Sequence, residues 1–207
     1  MKDTKQNILL AALKLFNEKG FVNVRLQHIA DEADVSIGNL AYHHPTKKDV
    51  LIGIYRDLVN RQTELLNDLS IVPLFENLDR HWDMVFEMQH QYAFFYQDTL
   101  EVIRFDETIR DQYRNHIQWE KDQLCRLIEF NISRGALISI ETTEIKKKAD
   151  QLWLIENSWF HYALIIGQES IETSAFKDHM WQMFLPQFTH IGQQEYDQLV
   201  RTKKIPL

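Results

Sequence analysis

Very little in this sequence can stop a helix. Six glycines and four prolines are spread through 207 residues, which favours long helices over a turn-rich β fold. Apolar residues recur at the spacing of one helix face. The stripes end near Gly20, Pro45, Pro73, Gly135 and Gly167. Asp3 or Thr4 can cap a first helix to about Lys19, striped by Ile8, Ala12, Leu15 and Phe16. Gly20 follows where a left-handed residue is needed. A second helix carries Leu26, Ile29, Ala30 and Ala33. Thr46-Lys-Lys-Asp49 reads as a capping box that opens a long fourth helix, with Val50, Leu51, Ile54, Leu58, Leu65, Leu66 and Leu69 on its apolar side. Beyond Pro73 the spacing predicts one aromatic-rich helical unit over 75–96, a short segment over 99–104 and a long helix over 106–134. It then predicts a helix from Thr143 to Ile166 and a last substantial helix from Ser174 through His190. Residues 192–207 are polar and read as a short helix plus a frayed tail.

The stretch between the second and fourth helices is the most informative. Ser36 can cap a short third helix by accepting a backbone N–H of its first turn. Helical spacing then turns Leu40 and His44 inward, while Ser36, Asn39, Tyr42 and His43 point outward. That outward face holds hydrogen-bonding groups and one aromatic ring, with no long acidic side chain. A short helix of this kind suits insertion into a DNA major groove.

The net charge of −7 is unevenly placed. Residues 1–50 carry 7 Lys/Arg against 6 Asp/Glu, and residues 51–207 carry 16 against 24. The acidity therefore lies away from the candidate groove-facing helix, and a near-neutral head can hold phosphates through a few placed donors. The single Cys125 excludes an internal disulfide framework and a cysteine-based zinc site. No metal site is expected: no HExxH occurs, and neither His81/His90 nor His179/His190 has i, i+4 spacing. No cofactor and no enzymatic activity are expected either, because GxSxG and phosphate-loop patterns are absent. Asp106 and Glu107 read as helix N-terminal charges. No apolar run is long enough for a membrane span, and the N-terminus lacks the apolar core of a signal peptide. The expectation is a soluble cytoplasmic protein without membrane contact.

The first fifty or so residues resemble the DNA-binding domain of TetR-type bacterial transcriptional regulators. The resemblance rests on Ile8-Leu-Leu-Ala-Ala-Leu-Lys-Leu-Phe-Asn-Glu-Lys-Gly-Phe21, Ile29-Ala30, Ala33-Asp-Val-Ser36, Gly38-Asn-Leu40, Tyr42-His43, Lys47 and Leu51, in order and at family spacing. It implies an all-α fold. A three-helix helix-turn-helix domain over 1–48 would be followed by a larger helical effector-binding and dimerisation domain over 49–207. A helix from about 47 to 69 would connect them. Carried over by position, Tyr42 and His43 would contact the DNA backbone and Lys47 would hold a phosphate. Gly38 would allow close approach, Ile37 and Asn39 would face bases, and Arg25 and Gln27 would reach phosphate or a base edge. Ser36 belongs to the same set as the cap. The family usually has an aromatic residue where Ala41 stands, Phe where His44 stands, and a polar residue where Pro45 stands.

The resemblance also implies double-stranded operator DNA, a small-molecule effector and a second copy of the chain as partners. Faces at i, i+4 and i+8 nominate Trp82, Phe86 and His90, then Trp153, Asn157 and His161, with Trp119 and Gln123, as effector-binding residues. Trp159, Tyr162 and Ile166, with Trp181, Phe184 and Phe188, lie on helices apolar on more than one side and are the candidate homodimer interface. The expected function is a sequence-specific transcriptional regulator, a repressor released by its effector. The alternative is a helical ligand-binding or interaction protein whose helix-turn-helix no longer reads DNA.

Overall fold

A computed structural model describes residues 4–167 and 172–203. The Asp3 alternative for the first cap lies outside the described residues. Eleven α-helices run in order among them: α1 (Thr4–Lys19), α2 (Leu26–Glu32), α3 (Ile37–His43), α4 (Lys47–Ile71), α5 (Phe75–Gln91), α6 (Ala93–Gln97), α7 (Thr99–Phe105), α8 (Glu107–Ser133), α9 (Thr142–Ile165), α10 (Thr173–Gln182) and α11 (His190–Lys203). A 3₁₀ turn at Leu185–Gln187 precedes α11. Two compact units emerge. One holds residues up to 62 with 89–115, and the other holds 63–88 with 116 onward. This differs from a division at 48/49, because α4, α5 and α8 each contribute to both units.

In the first unit the α1 stripe closes on the short helices, with Ile8, Ala12, Phe16, Ile29, Ala30, Leu40 and Leu51 buried. Phe16 meets Phe21 and Phe94 at ring separations of 5.2 Å each. The α2–α3 turn is a Schellman motif. Val35 N–H donates to Ala30 O (3.0 Å) and Asp34 N–H to Asp31 O (3.3 Å), with Asp34 held at φ 54°. The expected capping box forms: Asp49 Oδ2 accepts from Thr46 N–H (2.9 Å), and Asp49 N–H donates to Thr46 Oγ1 (3.2 Å).

The single unit expected over 75–96 is broken at Tyr92. Asn17 explains the break: its Nδ2 donates to Gln91 O (2.9 Å) while its Oδ1 accepts from Phe94 N–H (3.0 Å). One side chain thus satisfies the two backbone groups that an unbroken helix would have paired internally. Asp106, buried at the start of α8, accepts from Ile109 N–H (2.9 Å) and from Lys48 Nζ (2.5 Å).

In the second unit the aromatics interlock. Trp82 meets Trp181 edge-on at 5.0 Å, Phe86 stacks on Phe176 at 5.9 Å, and Phe75 packs against Trp181 and Phe188. The helix expected from Ser174 through His190 ends at Gln182. Pro186 has no N–H to continue the ladder, and the chain turns through Leu185–Gln187 instead. That turn pins the 136–142 linker, with Ile138 N–H donating to Gln187 O (2.8 Å) and Thr189 N–H to Ala136 O (3.0 Å). The expected short helix and frayed tail prove, as far as they are described, to be a 14-residue helix. Gly192 lets α11 approach the linker, because a Cβ there would overlap the Ala136 carbonyl oxygen.

Candidate nucleic-acid interface

The third helix is held from one side only. Leu40 and His44 face inward and are buried, as their i, i+4 spacing requires. Burial lowers the His44 pKa, with the Lys5 charge adding to the effect, so the ring is neutral at pH 7. Ser36 caps the helix by accepting from Asn39 N–H (3.1 Å). Apart from half-buried His43, the rest of α3 is turned out. Ser36, Gly38, Asn39 and Ala41 are exposed, Ile37 is 45% exposed and Tyr42 is 83% exposed. The Tyr42 ring stands edge-on to half-buried His43 at 5.1 Å. A seven-residue helix that leaves an isoleucine and a tyrosine outside gains little from its own packing.

Arg25 and Gln27 are exposed at the start of α2. Gln27 Nε2 donates to Asp31 Oδ1 (2.7 Å). His28 was not singled out from the sequence. Its Nδ1 accepts from Arg25 N–H (3.2 Å), the reciprocal half of a capping box. That bond places the ring proton on Nε2, which makes exposed His28 a donor. The three-residue spacing from Arg25 was the signal that could have found it.

Lys47 is placed differently from a free surface cation. It is half-buried, and its Nζ donates to Phe21 O (2.5 Å) and Val22 O (3.3 Å) while lying 4.2 Å from the Phe21 ring centroid. Burial lowers its pKa. An ammonium has three donors, so Lys47 ties the loop after α1 to the first turn of α4 and keeps one donor beyond those bonds.

The other nominated residues are mostly internal. Trp82, Phe86, Trp159, Trp181 and Phe184 are buried, and Phe188 packs against the same core. Trp159, Trp181 and Phe184 therefore offer no face to a second copy, because the chain itself covers them, and Phe188 is half-buried. Tyr162 and Ile166 are about half exposed, at 51% and 49%. Leu154, Leu164 and Ile165 of α9, which were not nominated, are exposed as well.

Of the effector candidates, Trp82 and Trp153 are brought together through acids. Trp153 Nε1 donates to Glu120 Oε2 (2.8 Å), and Trp82 bonds Glu156. Burial, reinforced by the Glu120 charge, pushes Glu156 up to about 8. Trp119 stacks on His116 at 5.3 Å and bonds Gln123, while Asn157 Nδ2 donates to Trp153 O (3.1 Å). His90 and His161 are exposed. Among the described residues no cluster of His, Cys, Asp and Glu is arranged to hold a metal, and no helix is long and apolar enough to cross a membrane.

A capped, outward-facing second helix after a tight turn, followed by an all-helical remainder, defines a helix-turn-helix DNA-binding regulator. The family model described as "Bacterial regulatory proteins, tetR family" matches residues 8–54, and the one described as "Bacterial transcriptional repressor" matches residues 55–196. The chain belongs to the TetR family of bacterial transcriptional regulators. It is similar to the HTH-type transcriptional regulator RutR of Escherichia coli, with 41% identity over 56 residues. Those residues are 27% of this chain and 26% of the relative, so the match spans about a quarter of that protein's length. In fold it is similar to a TetR-family transcriptional regulator from Marinobacter aquaeolei, with a TM-score of 0.85 and 22% identity over 99% of this chain and 100% of that one. A TetR transcription regulator from Haloarcula marismortui has a TM-score of 0.74 and 18% identity, covering 91% and 100%.

Proposed function

We propose that the chain is a cytoplasmic, non-enzymatic repressor that binds operator DNA as a homodimer and releases it when a small-molecule effector binds its helical domain. TetR-family regulators bind operator DNA and small-molecule effectors and dimerise. The observation that carries the reading for this chain is the outward α3 face, with Tyr42 almost fully exposed beside capped Ser36 and exposed Asn39. In this reading Ile37 and Asn39 meet base edges and Gly38 permits the approach. Tyr42, His43 and the remaining Lys47 donor hold backbone phosphates, and Arg25 and Gln27 reach the flank. The domain that reads DNA is 1–48, and 49–207 binds effector and second copy. The exposed apolar residues of α9, including Tyr162, together with Ile166 at its C-terminal cap, form the self-interface. Half-sites about one helical turn apart, ~34–36 Å, make operator binding sensitive to any change in head spacing. The effector acts through its difference in affinity between the two spacings.

The test is a mobility-shift assay of the full chain with the DNA upstream of its own gene, at two salt concentrations. Specific retardation that weakens with salt supports the reading. Retardation indifferent to Asn39→Ala and Tyr42→Ala together would overturn the assignment of α3.

A further inference from the structure

The last turns of α4 and the C-terminal half of α8 line a cavity of about 230 Å³, open to solvent on one side, within the second unit. Its walls are apolar: Leu66 and Leu69 from α4, then Pro73, and Leu127 and Phe130 from α8. Three polar residues complete it. Ser70 turns its hydroxyl back to its own helix, donating to Asn67 O (2.7 Å). Gln123 and Arg126 stand one helical turn apart on α8, so the cavity has one polar side.

Those two side chains form a relay. The Gln123 amide oxygen accepts from Trp119 Nε1 (3.1 Å) and from Arg126 Nη2 (2.5 Å), the amide orientation that satisfies both donors. Arg126 makes no salt bridge among the described residues, so most of its N–H donors remain for an incoming group. It is the one charged residue in the lining. Its acidic neighbours along α8, Asp122 and Glu129, do not line the cavity, and Asp122 accepts instead from Gln118 Nε2 (3.0 Å).

We propose that this cavity binds a small amphiphilic carboxylate. Apolar walls favour an apolar body in proportion to the area taken from water. The guanidinium matches a carboxylate fork in geometry and charge. Volume sets the size: a 150 Å³ apolar cavity accepts benzene, so 230 Å³ accepts one substituted ring or a chain of roughly six to eight carbons. A neutral molecule would leave the guanidinium without its best partner, and an organic cation would be repelled by it. The inference rests on the effector-controlled reading for its regulatory meaning, because Leu66 and Leu69 belong to α4, whose first turn carries Lys47.

The experiment titrates the full-length protein with octanoate, octan-1-ol and octylamine below their aggregation limits, by calorimetry and by tryptophan fluorescence, with Trp119→Phe identifying the reporter. Octanoate is expected to bind one per chain, at least about tenfold tighter than either matched probe. Arg126→Gln at this exposed position should bring octanoate to the level of octanol, and Phe130→Ala should weaken both alike. Equal binding of the three probes, no binding of octanoate, or an octanoate affinity unchanged by Arg126→Gln each overturns the proposal. The operator assay separates the two readings. Octanoate bound without any change in operator affinity leaves the site standing and removes the effector reading. Operator binding without octanoate binding does the reverse.

Discussion

The head and the helical domain treat polar side chains in opposite ways. In the head they are turned outward: Ser36, Asn39 and Tyr42 are exposed, and His44, the cap of α3, is the one buried polar residue among residues 4–46. The helical domain buries charges and pairs them across distant helices. Lys177 of α10 bonds Asp79 (2.7 Å) and Asp83 (2.6 Å) of α5, and Trp181 Nε1 donates to the same Asp79 (3.0 Å). Glu120 and Glu156 lie inside with Trp82 and Trp153. An outward polar face is a surface for something else to satisfy. An inward polar network is satisfied by the chain itself, and its stakes are stability.

The largest effect should therefore come from the buried network. Lys177→Met leaves Asp79 buried and charged without its ammonium, a change that costs about 3–5 kcal/mol in comparable buried pairs. Urea denaturation followed by far-UV circular dichroism measures it. Adding Asp79→Asn to Lys177→Met should recover a good part of the loss, because the carboxylate that faced the ammonium is then neutral. A loss under 1 kcal/mol for the single variant would mean that the pair is wetter than its burial indicates, and the contrast between the two regions would soften.

The same contrast decides what could be read from the chain. The α3 face was legible because every residue that makes it lies within one short stretch, and periodicity sorts them without any distant partner. The cap at Ser36, the Thr46–Asp49 box and the inward Leu40/His44 pair are all of this kind. The break at Tyr92 was not legible, since its cause is Asn17, more than seventy residues earlier. Lys177 and Glu156 look like solvated helix charges until α5 and α8 are placed against them. The aromatics of the last third were read as a surface for a second copy. Their periodicity could not show that Trp82 and Trp181 pack on Phe184, or that Tyr196 of α11 packs on Phe188. Pro186 is a readable stop, and the helix ends before it.

A second prediction uses pH. Glu156 is held up at about 8 by burial and by Glu120. Its folded form keeps a proton that the unfolded chain releases near pH 4.5. Its contribution is fully present below that value and is lost as pH rises toward 8. His81, lowered to about 4 by burial, works the other way: its contribution is present above about 6.5 and lost as pH falls. Between pH 6.5 and 8 only the first of these two acts. Stability should then decline by about 2 kcal/mol across that window. Glu156→Gln should flatten the decline in denaturation curves taken at both ends. A decline that survives the substitution would place its source elsewhere.

Outward residues should show the reverse signature. Tyr42→Ala should weaken operator binding about tenfold, the scale of a lost backbone anchor and its packing, while moving the denaturation midpoint hardly at all. Lys47→Met is the instructive companion, because its ammonium bonds Phe21 O and Val22 O and, in the proposed reading, holds a phosphate with its remaining donor. It should lower both operator affinity and stability. If Tyr42→Ala were as destabilising as Lys47→Met, the exposed face would be structural after all.

The smallest effect tests the turn that aims α3. Asp34 sits at φ 54° in the Schellman turn, a conformation that costs a non-glycine residue free energy. Asp34→Gly removes that strain but adds freedom to the unfolded chain, so the net gain should be only about 0.5 kcal/mol. Both turn bonds, Val35 N–H to Ala30 O and Asp34 N–H to Asp31 O, are made by the backbone and survive the change. Stability should therefore rise slightly, and operator affinity should hold or improve, since one carboxylate beside the reading helix is gone. A fall in affinity at unchanged or higher stability would show that the left-handed aspartate does more than turn the chain. In that case the helix depends on Asp34 for its aim, and the boundary between outward function and inward stability would run through a single residue.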